Sequence, residues 1–299
     1  MKKIGRYFKE CWLELKKVSW PTRDTVVHYT WIVIISTVVF GIILGLVDLG
    51  IGQLMDLIFC MQASRPMPAI IWLHGGGFTE EQMTRLSRPE RRFMELARRG
   101  YLIASIDYRL AQTSPFPAQL QDSKCAVRFL RSHAKQFGID PERIAVWGES
   151  CGGQLAALMA VKEGIPALED AREWTDVSDE IQAAVAWYGG FNIPKFTGML
   201  KDPRFAIIYG GTYEEKQELV TIASPITYAA KKLCPILSMC SDTDVRVPYA
   251  QSVEFCQAAA SHGNDARHVT VPGQGHGYFE GEDYYQMLYA FLDEHLKQG

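Results

Sequence analysis

Residues 143–153, RIAVWGESCGG, constrain this chain more tightly than any other stretch. The apolar run Ile144 to Trp147 reads as a buried strand, and Gln154 to Lys162 has helix-forming composition. Gly148, Ser150 and Gly152 therefore form a G-x-S-x-G turn between a strand and a helix. A serine at the tip of so sharp a turn sits in strained backbone geometry. The chain must cross itself closely two residues to either side, and glycine at 148 and 152 removes the Cβ atoms that would collide there. The turn presents the Ser150 hydroxyl at the end of the strand. The Cys151 N–H and the positive end of the helix then face any oxyanion that forms. As bare spacing the pattern also arises by chance, so its meaning rests on the residues around it.

From Pro66 onward those residues alternate between strand and helix patterns. Pro68 to Leu73, Tyr101 to Tyr108, Ile144 to Trp147, Ile181 to Trp187, Pro235 to Met239 and His268 to Val271 read as strands. Arg88 to Arg99, Phe116 to Phe137, Gln154 to Lys162, Tyr249 to Ser261 and Tyr284 to Leu296 read as helices. This alternation predicts an α/β fold, a mostly parallel sheet with helices on both faces. Gly190 to Ser224 is the least regular part and stands where a segment covering the substrate is expected. No basic stripe points to nucleic acid. The seven cysteines include no C-x-x-C pair, and buried free thiols are the expectation, with neither zinc nor a disulfide framework.

The first sixty residues follow a different logic. They carry seven Lys/Arg against five Asp/Glu, and Thr25 to Val47 is 23 residues without a charged side chain. As a helix this run would be roughly 34 Å long at about 1.5 Å per residue, enough to cross a hydrocarbon core of about 30 Å. All seven basic residues precede it, which predicts a single-pass membrane protein with a cytoplasmic N-terminus. An amphipathic stretch, Tyr7 to Val18, comes before. The expected division is residues 1–60 and 61–299.

The run ELKKVSWPTRD (14–24) followed by one hydrophobic span resembles SecE, the small subunit of the bacterial Sec translocase. The resemblance covers about Ile4 to Phe59. It implies an amphipathic helix on the cytoplasmic membrane face, a Trp-Pro-Thr hinge at 20–22, and a span over residues 25–47 that packs on the channel subunit of the translocase.

The remaining motifs suit acyl transfer. HGGG (74–77) directly after a strand can converge backbone N–H groups on a carbonyl oxygen, and by the usual geometry the oxyanion donors are Gly76, Gly77 and Cys151. His74 lies at that loop and is expected to organise it. Ser150 needs a base, and the base an orienting carboxylate. Of the seven histidines, His276 in PGQGHG (272–277) lies after the last strand and before the last helix, and is the expected base. Two carboxylates, Asp242 and Asp244, follow the strand Pro235 to Met239. The pattern D-x-D-x-x-V-P favours Asp244 as the partner and leaves Asp242 to cap the turn. The order Ser150, Asp244, His276 is that of an α/β-hydrolase.

Taken with DYRL (107–110), FPA (116–118), GIDPERIAV (138–146), GESCGG (148–153) and SPITY (224–228), these motifs resemble α/β-hydrolase esterases. The resemblance is to the feruloyl-esterase-like, acetylxylan-esterase-like and hormone-sensitive-lipase-like groups over about Pro66 to Lys297. It implies a serine hydrolase acting on a small carboxylic ester, such as an acetylated or feruloylated carbohydrate, without metal or organic cofactor. A peptidase or amidase is the further reading compatible with the elbow. Such hydrolases carry one or two strands ahead of the HGGG strand. Here the SecE-like span stands in their place, and an unpaired sheet edge is expected.

Overall fold

The computed structural model describes residues 10–13, 16–17, 22–62, 66–85, 90–169, 173–277 and 279–297. The chain divides into two compact units, Met1–Ser64 and Arg65–Gly299. In the first, helix α1 runs over Arg23–Gln62 and contains the uncharged run. It is longer than the sequence reading, because neither Asp48 nor Asp56 interrupts a helix and no proline follows Pro21 until Pro66. Its apolar side chains are exposed along the stretch long and apolar enough to cross a membrane, Arg23–Val47. The Ser36 and Thr37 hydroxyls donate to the Ile32 and Val33 carbonyls at 2.6 and 2.8 Å, so the helix satisfies its own polar groups. The Trp20-Pro21 part of the expected hinge, and half of the amphipathic stretch Tyr7 to Val18, lie outside the described residues.

The second unit is built on a six-stranded sheet. Its strands are β1 (Met67–Leu73), β2 (Leu102–Ile106), β3 (Ile139–Glu149), β4 (Ala183–Trp187), β5 (Ile236–Ser241) and β6 (Ala266–Val271). The order is β2-β1-β3-β4-β5-β6, and every pair is parallel. Helices α2 (Glu90–Arg98), α3 (Ala118–Ser132), α4 (Ala134–Phe137) and α5 (Cys151–Met159) alternate with the first strands. Short helices α6 (Thr197–Leu200), α7 (Phe205–Tyr209) and α8 (Tyr213–Ile222) lie in the segment that reads as irregular. Helices α9 (Ala250–Ser261) and α10 (Glu282–Leu296) complete the fold.

Side-chain alternation decides which helix covers which face. On β1, Ile71 and Leu73 join a cluster with Leu120 and Val127 of α3, Leu155 of α5 and Phe255 of α9. Ile70 and Trp72 point the other way, toward Leu96 of α2 and Leu288 and Leu292 of α10. With both faces buried, the strands read as continuous apolar runs. Trp72, Trp147 and Trp187 stack across three neighbouring strands on this second face, with ring centroids 4.8 and 5.1 Å apart in edge contacts.

The long helix expected from Phe116 to Phe137 is two helices. His133 caps α3, its Nδ1–H donating to the Phe129 carbonyl at 2.9 Å, and Gly138 ends α4 in the left-handed region. Strand β2 ends the sheet, and its residues are all half-buried where those of β4 are fully buried.

Candidate active site

A wholly parallel sheet brings the carboxyl ends of all its strands to one edge. The loops that leave β1, β3, β4, β5 and β6 there carry Gly76 and Gly77, Ser150, Tyr188, Asp244 and His276. Residues separated by up to two hundred positions thus meet in one place.

Ser150 takes φ +53° and ψ −119° between β3 and α5. Its N–H donates to the Trp187 carbonyl at 2.9 Å, and its carbonyl accepts from Gln154 N–H at 3.1 Å, so neighbouring elements hold the strained residue on both sides. A Cβ at Gly148 would fall on the Gly152 carbonyl and lie 2.9 Å from Gly153 N, and one at Gly152 would lie 2.7 Å from the His74 carbonyl oxygen. The spacing of glycines in the motif is a packing requirement.

The Ser150 hydroxyl donates to His276 Nε2 at 3.0 Å, and His276 Nδ1–H donates to Asp244 Oδ2 at 2.7 Å. Because a carboxylate only accepts, it fixes the proton on Nδ1 and leaves Nε2 bare toward the serine. The Asp244 side chain is fully buried, and its other oxygen accepts the N–H groups of Arg246 and Val247 at 2.9 and 3.0 Å. Asp242 is exposed and accepts Gly273 N–H at 2.8 Å, fastening the turn that precedes His276. Tyr188 meets the His276 ring edge-on, centroids 4.8 Å apart.

Three supports of this relay carry no local signal in the sequence. The buried Ser241 hydroxyl accepts both Gln274 N–H and Gly275 N–H at 3.0 Å, and Gln274 closes the loop by donating to the Glu280 carbonyl at 2.8 Å. Tyr188 is the third. Ser241 and Gln274 are 33 positions apart, so no local pattern joins them.

On the opposite side of Ser150, Gly76 and Gly77 have φ +104° and +58°. Among the described residues the N–H groups of Gly76, Gly77 and Cys151 donate to no backbone carbonyl. His74 is stacked on Tyr108 with centroids 4.2 Å apart, and its Nδ1–H holds the Gly75 carbonyl at 2.7 Å. Burial lowers its pKa, which keeps it neutral and suits a loop organiser. Tyr108 Oη–H donates to the His74 carbonyl at 2.7 Å. The other histidines of this unit are engaged elsewhere: His133 on Phe129, His262 on Ala258, His268 beside Tyr249 and His295 beside Asp265.

Ser150, His276 and the glycine loop open on a cavity of about 610 Å³, with Phe78, Met83, Ile193, Phe196 and Met199 on its apolar side and Arg204 and Arg246 among its polar groups. Burial pushes the thiol of Cys151 up, and those of Cys234, Cys240 and Cys256 up to about 12, so they behave as packed apolar groups. Among the described residues one cluster has the donors for a metal, Asp265, Glu294 and His295, and Arg267 is already ion-paired to both carboxylates at 2.8 and 2.7 Å.

Comparison with known proteins agrees with this fold. The sequence profile of the BD-FAE family matches residues 55–258, a span that includes Ser150 and Asp244 and ends ahead of His276. The profile of SecE/Sec61-gamma subunits of protein translocation complex matches residues 5–59. Esterase LipQ of Mycobacterium tuberculosis is 30% identical over 203 residues, 67% of this chain and 47% of that protein. Esterase LipC of the same organism is 27% identical over 225 residues, 72% of this chain and 54% of that protein. The chain thus spans about half the length of the curated relatives it matches. Among solved structures, a truncated carbohydrate esterase from gut microbiota superposes with a TM-score of 0.68 at 26% identity, covering 79% of this chain and 87% of that one. The apo form of Thermogutta terrifontis esterase 2 gives 0.63 at 25% identity, over 78% of this chain and 82% of that one. With 204 of 299 residues inside the profile match and esterases of the same fold as neighbours, the chain belongs to the BD-FAE family of α/β-hydrolase esterases, with a SecE-like segment ahead of it.

Proposed function

We propose that the unit Arg65–Gly299 is a serine esterase acting on small carboxylic esters. The observation that carries this is the continuous relay from buried Asp244 through His276 to Ser150, which shares one cavity with Gly76, Gly77 and Cys151, whose N–H groups meet no backbone carbonyl among the described residues. His276 Nε2 takes the Ser150 proton as Oγ bonds to the ester carbonyl carbon. Gly76, Gly77 and Cys151 hold the oxyanion. The imidazolium, paired with Asp244, returns the proton to the departing alkoxide as the C–O bond breaks. Water then repeats the sequence on the acyl-enzyme, releasing the acid and restoring Ser150. The likeness to a carbohydrate esterase supports a sugar hydroxyl as the alcohol part of the ester.

The test is p-nitrophenyl acetate turnover by the full chain purified in detergent. Asp244→Asn keeps the volume but supplies an N–H where His276 needs an acceptor, and kcat falls about 10⁴-fold. Asp242→Asn, out on the turn, stays within about threefold. The reverse ranking would refute the assignment of the carboxylate.

The match of residues 5–59 favours a second role for the first unit. It is a single-pass anchor with its N-terminus in the cytoplasm, able to occupy the place of SecE beside the translocase channel subunit. Expression of the full chain in bacteria depleted of SecE then restores growth. Membrane insertion without rescue would leave anchoring as the segment's role.

A further inference from the structure

The segment over the cavity and the glycine loop below it meet at one side chain. Arg204 donates from Nε and Nη2 to Asp202 at 3.0 and 2.7 Å, a two-pronged pairing within the covering segment. Its Nη1 reaches Glu80, on the loop after β1, at 3.5 Å. The same Nη1 lies against Gly77, where an added Cβ would stand 2.8 Å from it. The hydrogen bonds with Asp202 hold that carboxyl below the usual range and the guanidinium above its own, so both stay charged.

Gly76 and Gly77 need such a neighbour. Both have positive φ, neither has a side chain to anchor it, and their N–H groups have no backbone acceptor among the described residues. Free glycines sample many conformations, whereas an oxyanion is stabilised only by donors already in place. The turn is pinned from below by Thr79 N–H and Glu80 N–H on the Gly76 carbonyl, at 3.1 and 3.0 Å. Arg204 covers it from above.

We propose that Arg204 is a positioning residue for ester hydrolysis, a clamp between Asp202 and Glu80 that holds the Gly76 and Gly77 N–H groups on the developing oxyanion. This rests on the esterase reading of the same site. Arg204, Asp202 and Glu80 together carry a net negative charge, so the guanidinium acts through placement and not through its field. An ion pair this exposed adds little to stability, and that separates the clamp from a structural role.

The experiment measures p-nitrophenyl acetate kinetics, inhibition by phenylboronic acid (which forms a tetrahedral adduct with an active serine) and Tm, on the full chain in detergent. Arg204→Ala lowers kcat about 10- to 100-fold, with KM within about twofold and Tm nearly unchanged. The boronate inhibition constant rises by the same factor. Arg204→Lys keeps the charge, loses the planar fork and recovers little. Glu80→Gln falls in between, and these two variants carry the test if the alanine variant does not fold. Unchanged kcat and boronate affinity in active, folded variants would overturn the clamp and leave the esterase reading intact, as would a change confined to KM. A wild-type chain that turns over no ester overturns both.

Discussion

Ser150→Ala abolishes p-nitrophenyl acetate hydrolysis, lowering kcat by about 10⁴- to 10⁶-fold, while the protein stays folded. The size of the effect follows from the relay. His276 Nε2 faces the Ser150 hydroxyl at 3.0 Å, and its proton is already committed to buried Asp244. Without Oγ there is no atom to attack the ester carbonyl, and the residual rate comes from the remaining N–H donors and from binding. The change removes one partly buried hydrogen bond, costing about 1 kcal/mol. Alanine accepts the strained backbone as well as serine does, so Tm moves by only a few degrees. Steady-state turnover and near-ultraviolet circular dichroism on the same preparation separate loss of chemistry from loss of fold. Retention of more than about one hundredth of the rate would place the nucleophile elsewhere.

Gly152→Ala has the largest expected effect on stability, above about 4 kcal/mol. The added Cβ would meet the carbonyl oxygens of both Leu73 and His74, where the end of β1 passes under the start of α5. These are backbone atoms in the buried sheet, so no rotamer change relieves the clash. At roughly 2–4 °C per kcal/mol for a unit of this size, Tm falls by about 10 °C or more, or the protein no longer folds. Gly263→Ala is the contrast. That glycine has φ +83° with nothing within 4 Å of an added Cβ, so its change adds only backbone strain of about 1–2 kcal/mol. Thermal unfolding of the two variants compares a purely steric cost with a purely conformational one. Equal shifts would contradict the close approach of β1 and α5.

Much of the site was legible because the constraints that shape it are local. Gly148 and Gly152 flank Ser150 because the turn admits no Cβ, and that requirement lies within five residues. The apolar runs of β1, β3 and β4 are continuous because both faces of each strand are covered. The uncharged stretch of α1 is likewise a local feature, and by length and composition Arg23–Val47 is enough to cross a membrane. Chain order singles out His276 and Asp244, which the fold brings to 2.7 Å of each other, although Asp242 satisfies nearly the same pattern two positions away.

What the sequence alone determined is therefore the elbow, the strand and helix alternation, the long apolar helix and a short set of candidate side chains. The tertiary structure decided the rest. It broke the helix at His133 and paired His276 with Asp244 while Asp242 fastened Gly273. It set Ser241 under the histidine loop and carried Arg204 over Gly77. The reason is physical. A turn or a strand is fixed by neighbours along the chain, whose sterics act at fixed spacing. A hydrogen bond such as that from Ser150 to His276 joins residues 126 positions apart, and only packing of the whole sheet brings them to 3.0 Å.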